Sequence, residues 1–338
     1  MNTNNLKNHG QKHILQKSGI VLICALICTA LWGSAFPCIK IGYQLFHIAS
    51  ADTASQMLFA GVRFFLAGIL TILIGSIQQK TFLLPTRTAP HKILILSMFQ
   101  TIIQYLLFYI GLAHTTAIKG SILGGTTVLF SLLLTCLIFR QEKMTSFKLI
   151  GCMIGFVGII VVNLTGAGTD INMQFTLFGE GFMVLSSLSS AFSAVFLKKF
   201  SDENPVMLSG YQFFVGGAIL AVIGKAMGGS LAGFVQNQSA NASETSLFAA
   251  FSSSIIAPVL LMLYMAMISA IAYSLWALLL KYNPVSRITV FGFMIQVFGV
   301  ILSAIFVKES TGFGVQTMMA LVLVCFGIYL VNRKKIKG

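Results

Sequence analysis

Charge is scarce in this chain. Only 9% of its residues are charged and only eight are acidic, whereas a soluble domain carries about 25% charged residues. With 57% hydrophobic residues over 338 positions and a mean hydropathy of +0.90, no single water-soluble core could hide so much apolar surface. The composition is that of an integral membrane protein. Carboxylates are missing from the central third of every long apolar run, which removes the residue type that most often couples a carrier to protons. A facilitative carrier or a weakly proton-coupled exporter fits that absence. There is no phosphate-cradling GxxxxGK[ST] loop either. The nearest approach, "GGAILAVIGKA" at 216–226, has the wrong spacing and lies inside an apolar run, so ATP hydrolysis is not supported. No CxxC pair occurs. The six cysteines (Cys24, Cys28, Cys38, Cys136, Cys152, Cys325) all sit in apolar runs and read as small buried hydrophobes, with neither a metal site nor a disulfide framework. Clustered nucleophiles, bases or metal ligands at one depth are also lacking, so the chain does not read as an enzyme and no cofactor is expected.

What is present is length of apolar sequence. A helix that spans a bilayer needs about 20 apolar residues. Ten runs qualify, near 18–45, 54–77, 91–113, 117–138, 146–164, 175–198, 206–228, 255–280, 284–306 and 314–332. The first is too long for a cleaved leader and holds Trp32 and Pro37. The net charge of +14 could suggest nucleic acid, but the basic residues lie in short clusters between the runs, as membrane topology places them. Of the 22 lysines and arginines, seventeen fall in segments that share a side with the N-terminus and three (Lys119, Lys225, Lys308) in the opposite segments. That bias predicts both termini in the cytoplasm and an even number of crossings of the plasma (inner) membrane.

The chain also repeats itself. "FAGVRFFLAGILTILIG" (59–75) aligns with "LSGYQFFVGGAILAVIG" (208–224) at an offset of 149. "YLLFYIGLAHTTAIKGSIL" (105–123) aligns with "YSLWALLLKYNPVSRITVF" (273–291) at 168, and "GIIVVN" (158–163) with "GIYLVN" (327–332) at 169. The polar loop "GGSLAGFVQNQSANASETS" (228–246) accounts for the change of offset. Five runs per repeat is an odd number, so the halves must insert with opposite orientation. The expected architecture is an all-α integral membrane protein of ten transmembrane helices in two inverted five-helix repeats, 18–164 and 175–332. Basic tails at 1–17 and 333–338 flank them, and a loop insertion occupies about 228–253. Inverted repeats of this kind meet around a midplane cavity and support alternating access.

Several motifs carry a resemblance over about 18–335. They are "ALWGSAFPCIKIG" in the first run, "GVRFFLAG" in the second and "GLAHTTAIKGSIL" between the third and fourth. "FRQEKMT" and "FVKEST" place Glu142 and Glu309 at helix ends. On these the sequence resembles the EamA type of the drug/metabolite transporter superfamily. The resemblance implies a permease exporting amino acids or other small metabolites, or, as an alternative, drugs and hydrophobic compounds. The second half departs from strict symmetry: Gln212 stands opposite Arg63 and Ser193 opposite Pro37.

Arg63 is the outstanding residue. An ionised arginine near the middle of a span costs about 2.5–3.5 kcal/mol or more, and no carboxylate in the first four runs can pair with it. One reading makes Arg63, helped by Lys40, the anchor for a substrate carboxylate, which its planar fork binds bidentately. The other makes it a structural clasp on backbone carbonyls or on Glu180. The remaining cavity candidates are Trp32, Gln104, Tyr105, Tyr109, Gln212, Tyr273 and Trp276. Trp32, Phe36 and Lys40 step by four, as do Tyr105 and Tyr109, and Tyr105 and Tyr273 are repeat-equivalent. Such an aromatic pocket with a few polar groups suits a small amphipathic solute. The expected partners are therefore a zwitterionic or anionic metabolite and the lipid bilayer, with no nucleic acid. An exporter of hydrophobic cations is disfavoured by the intramembrane cations, and a scaffold would need neither paired aromatics nor a buried arginine.

Overall fold

A computed structural model describes residues 14–49, 51–115, 117–164, 176–231, 256–306 and 315–333. Among them there are helices and turns but no strand, as expected where only a helix satisfies its backbone within an apolar segment. Helix α1 spans Ser18–Leu45 and α2 Thr53–Gln79. Helix α3 is a continuous rod made of Ala89–Leu96, a π-helical stretch Ser97–Ile103 and Gln104–Ala113. Helix α4 covers Ala117–Leu133 and closes with a π-helical turn, Leu134–Ile138; α5 is Ser146–Leu164. Helix α6 opens on the π-helical turn Leu177–Gly181 and continues through Phe182–Lys199. Then follow α7 (Pro205–Ala226) and α8 (Ile256–Tyr282). Helix α9 joins Val285–Thr289, a 3-10 turn Val290–Gly292 and Phe293–Phe306, and α10 is Val315–Asn332. Six of these rods, α1, α2, α3, α6, α7 and α8, are long and apolar enough to cross a membrane, and the others contain shorter apolar stretches. Large side chains such as Ile77, Val222, Leu260 and Tyr329 stand exposed on the outside, where lipid rather than water is their natural solvent.

Local chemistry sets the helix ends. Asp52 caps α2 by accepting the Ser55 N–H at 3.0 Å. Asn204 caps α7 by accepting from Val206 N and Met207 N at 3.0 and 3.3 Å, with Pro205 fixing the first helical φ. At the other end of α2, Lys80 takes a left-handed conformation, φ 54°, and its N–H returns to the Ser76 and Ile77 carbonyls.

Helices α2 and α7 form the tightest contact, and small residues allow it. A Cβ on Gly68 would lie 2.7 Å from Phe214 Cα and 2.8 Å from the Gly210 carbonyl oxygen. A Cβ on Gly217 would lie 2.8 Å from the Phe64 carbonyl carbon and 2.9 Å from the Gly61 oxygen. The two contacts are the same contact exchanged, because Gly68 and Gly217, Phe65 and Phe214, and Gly61 and Gly210 are each 149 residues apart. The ring pairs follow suit: Phe64 stacks on Phe213 at 5.3 Å and Phe65 meets Phe214 at 4.8 Å. Elsewhere α1 packs on α8 and α9 as α6 packs on α3 and α4, while α5 packs on α10 through Gly151 and Gly327.

One end of the bundle is tied by polar contacts. Lys92 on α3 bridges to Asp202 at 2.5 Å and to the buried Glu203 at 2.8 Å in the α6–α7 turn. Thr86 and Thr88 donate to the same Glu203 carboxylate, and Lys281 on α8 donates to the Glu203 carbonyl at 3.0 Å. Hydrogen bonding from the Lys92 ammonium holds both carboxyls below the usual range. A carboxyl depressed in the fold stabilises it above its unfolded pKa and loses that stabilisation as pH falls through the folded value. Thermal stability in detergent is therefore expected to fall as the pH drops from 6 towards 3. At neutral pH Glu203→Gln, which leaves the buried Lys92 ammonium short of a charge partner, is expected to cost about 1–3 kcal/mol, read as a lower unfolding midpoint.

Candidate functional site

The centre of the bundle is built from aromatic side chains on α1, α2, α3, α7 and α8. Phe64 and Phe213 make its floor, and each carries a tyrosine: Tyr105 lies 4.5 Å from Phe64, and Tyr273 lies 4.6 Å from Phe213. The two tyrosine hydroxyls meet at 3.3 Å, so repeat-equivalent residues from α3 and α8 close a bridge over the phenylalanine pair. Trp32 of α1 packs edge-on against Tyr273 at 4.8 Å and Trp276 at 5.0 Å. Its indole Nε1 is buried without an acceptor among the described residues.

Arg63 enters this assembly from α2. The side chain is buried, and its guanidinium carbon lies 4.4 Å above the Phe64 ring. It makes no hydrogen bond or ion pair with any described residue, and Nε is enclosed without an acceptor. Tyr43, Tyr109, Tyr273 and the Cys38 thiol lie within its electrostatic reach, and Tyr43 and Tyr109 also interact with each other through their side chains. Neither structural clasp foreseen for Arg63 is present among these residues. Glu180 instead accepts from Thr115 Oγ1 at 2.7 Å and from the Thr176 N–H and hydroxyl at 2.8 Å, at the opening turn of α6. Asp52 is occupied as the α2 cap.

A neutral amide chain lies beside the tyrosines. Ser193 on α6 bonds Gln100 Oε1, Gln100 Nε2 donates to Gln104 Oε1 at 3.2 Å, and Gln100 also interacts with the Tyr273 side chain. The π-helical stretch of α3 makes this possible. Its wider turn spoils the regular carbonyl ladder, and serines of α6 take up the slack: Ser189 bonds the Phe99 carbonyl at 2.7 Å and Ser186 the Gln104 carbonyl at 2.8 Å. On α7, Gln212 at the position equivalent to Arg63 is buried, and its Oε1 has no partner among the described residues.

The structure thus brings Trp32, Arg63, Gln104, Tyr105, Tyr109, Tyr273 and Trp276 to the centre, with Gln212 buried on the adjoining α7. Lys40, by contrast, is exposed on α1. The side chains of Phe36 and Lys119, and all of Lys308 and Glu309, lie outside the described residues. Sequence reading missed Tyr43, Gln100 and Ser193. Their signal was that of any polar residue inside an apolar run, and Gln100 stands one helical turn before Gln104.

The pattern of the EamA-like transporter family matches residues 19–164 and again 177–333. The chain belongs to the EamA-like transporter family. Bacillus subtilis supplies two relatives named as uncharacterized transporters. YvbV is 23% identical over 95% of this chain and 93% of its own length. The match to YetK is 24% identical and spans 46% of this chain and about half, 49%, of that protein. A Chlamydia muridarum S-adenosylmethionine/S-adenosylhomocysteine transporter is 26% identical over 51% of this chain and 52% of its own. A solved crystal structure shares the fold at a TM-score of 0.68, with 12% identity over 93% of this chain and 96% of that one. This EamA-family chain is accordingly a multi-pass membrane protein of a transporter family.

Proposed function

We propose that the protein is a secondary transporter that exports small zwitterionic or anionic metabolites, amino acids first, across the plasma (inner) membrane by alternating access. The observation that carries the reading is Arg63: a buried guanidinium with no carboxylate beside it among the described residues, facing tyrosines at the meeting point of the two halves. A buried cation without a counter-ion is costly, and a substrate carboxylate supplies the missing charge each time it binds. The unpartnered acceptor on Gln212, at the equivalent position of the second half, complements an ammonium group. Donor and acceptor together match a zwitterion.

Ten crossings in two inverted five-helix units, 18–164 and 175–332, with both termini cytoplasmic, are the architecture this reading requires. The exchanged contacts of α2 and α7 and the Tyr105–Tyr273 bridge support it, since reciprocal contacts between equivalent residues are what a two-fold relation produces. A cavity on that axis opens to each side in turn as one half rocks against the other. One further substrate earns a place in the assay. S-adenosylmethionine combines an α-amino acid with a purine, and the Trp32–Tyr273 aromatic wall beside Arg63 suits both parts.

Reconstituted protein loaded with unlabelled solute is expected to take up labelled amino acids, and among them those with a free carboxylate, faster than protein-free vesicles. Uptake indistinguishable from empty vesicles for every amino acid and for S-adenosylmethionine overturns the substrate assignment.

A further inference from the structure

An open recess of about 460 Å³ lies where α1 begins and where α8 turns into α9, lined among others by Lys17, Ser18, Tyr282, Asn283 and Arg287. It shares no lining residue with the central site and belongs to the lysine-rich end of the bundle, since Lys281 adjoins it and reaches the Glu203 turn. Arg287 is its half-buried wall. The guanidinium is held by neutral acceptors alone: Nη1 donates to Asn283 Oδ1 at 3.0 Å and to the Gln16 carbonyl at 3.4 Å, and Nη2 to Ser18 Oγ at 3.0 Å. No acidic side chain among the described residues pairs with it. Glu142, on the neighbouring loop, spends its carboxylate on the Ser286 N–H and hydroxyl and on Lys148 at 2.6 Å. An arginine has five N–H donors, so these bonds leave two of them without an acceptor among the described residues. Lys17 adds a second, exposed cation with no described side-chain partner.

Two cations thus line a recess at the level where apolar helices end, with one of them pinned in place and neither neutralised by a described carboxylate. We infer that this recess binds a phosphate-bearing anion, of the kind an acidic phospholipid presents at the bilayer surface. Arginine suits phosphate because adjacent N–H groups meet two oxygens of the same group. Basic recesses between membrane helices are the natural seats for such headgroups. Binding here joins the start of α1 to the α8–α9 turn and so stabilises this end of the bundle.

The test uses the purified full chain in detergent, with its unfolding midpoint followed against added phosphatidylglycerol, phosphatidylcholine or inorganic phosphate. Wild type is expected to be stabilised by phosphatidylglycerol and not by phosphatidylcholine. Arg287→Gln and Lys17→Gln should each weaken the half-saturating concentration by about fivefold or more, the weight of one basic residue at an anionic surface. Lys17→Gln alters an exposed side chain, so it reports even if Arg287→Gln does not fold. A response confined to phosphatidylglycerol assigns the ligand to lipid, and an equal response to inorganic phosphate assigns it to a free anion. Both support the site. No response to either anion, or wild-type responses in both variants, overturns it.

Discussion

Gly217→Leu is expected to leave no monodisperse, folded protein in detergent, whereas Gly19→Leu purifies and unfolds as the wild type does. The contrast is set by what a side chain meets. At Gly217 even a Cβ runs into the Phe64–Phe65 backbone of α2, and at Gly19 there is nothing within 4 Å. Backbone cannot swing aside as the end of a flexible side chain can. Helices α2 and α7 must separate, and the Phe64–Phe213 stack and its tyrosine bridge separate with them. Overpacking a well-packed core typically costs about 1–3 kcal/mol, and forcing apart the closest helix pair exceeds that range. Because the contact is reciprocal, Gly68→Leu should fail in the same way. Size-exclusion profiles and unfolding midpoints of the three variants check this, and a stable Gly217→Leu protein would contradict the packing described.

The second large effect concerns Arg63. Arg63→Gln is expected to fold, because no hydrogen bond or ion pair to a described residue is lost with it. It should fold slightly more stably, since an uncompensated buried charge is removed. Transport of carboxylate-bearing solutes should nevertheless fall by about 30-fold or more, since removing one partner of a buried charge pair costs about 2–5 kcal/mol. Arg63→Lys retains the charge without the planar fork and should fall in between. A clasp would behave in the opposite way, losing stability and transport together. Initial rates of counterflow alongside unfolding midpoints separate the two.

The helices and the burial of Arg63 were legible for the same reason: long apolar runs leave little choice of structure, and a lone charge in one of them must turn inward. Runs read near 18–45 and 146–164 became Ser18–Leu45 and Ser146–Leu164. Tyr105 and Tyr273 stood out as repeat-equivalent, though their contact and the Phe64–Phe213 stack emerged only from the structure. Lys40 was less legible. A step of four residues turns a helix through about 400°, so two steps from Trp32 drift about 80° off the face, and the lysine emerges exposed while Trp32 stays against Tyr273. Gln100 was hidden by the π-helical stretch Ser97–Ile103, which re-aims side chains in a way that 3.6-residue periodicity does not foresee. Ser193 escaped because its partner was Gln100.

The central claim is that a substrate carboxylate rests on Arg63, and a two-by-two comparison of binding tests it most directly. Affinities of wild type and Arg63→Gln are measured for an amino acid and for its carboxamide, in which the negative charge is gone. If the guanidinium and the carboxylate meet, removing the second of the two costs little once the first is lost, and the coupling is about 2 kcal/mol or more. The account predicts that coupling. Additive losses, with the amino acid still preferred over its carboxamide by Arg63→Gln as strongly as by wild type, would contradict it.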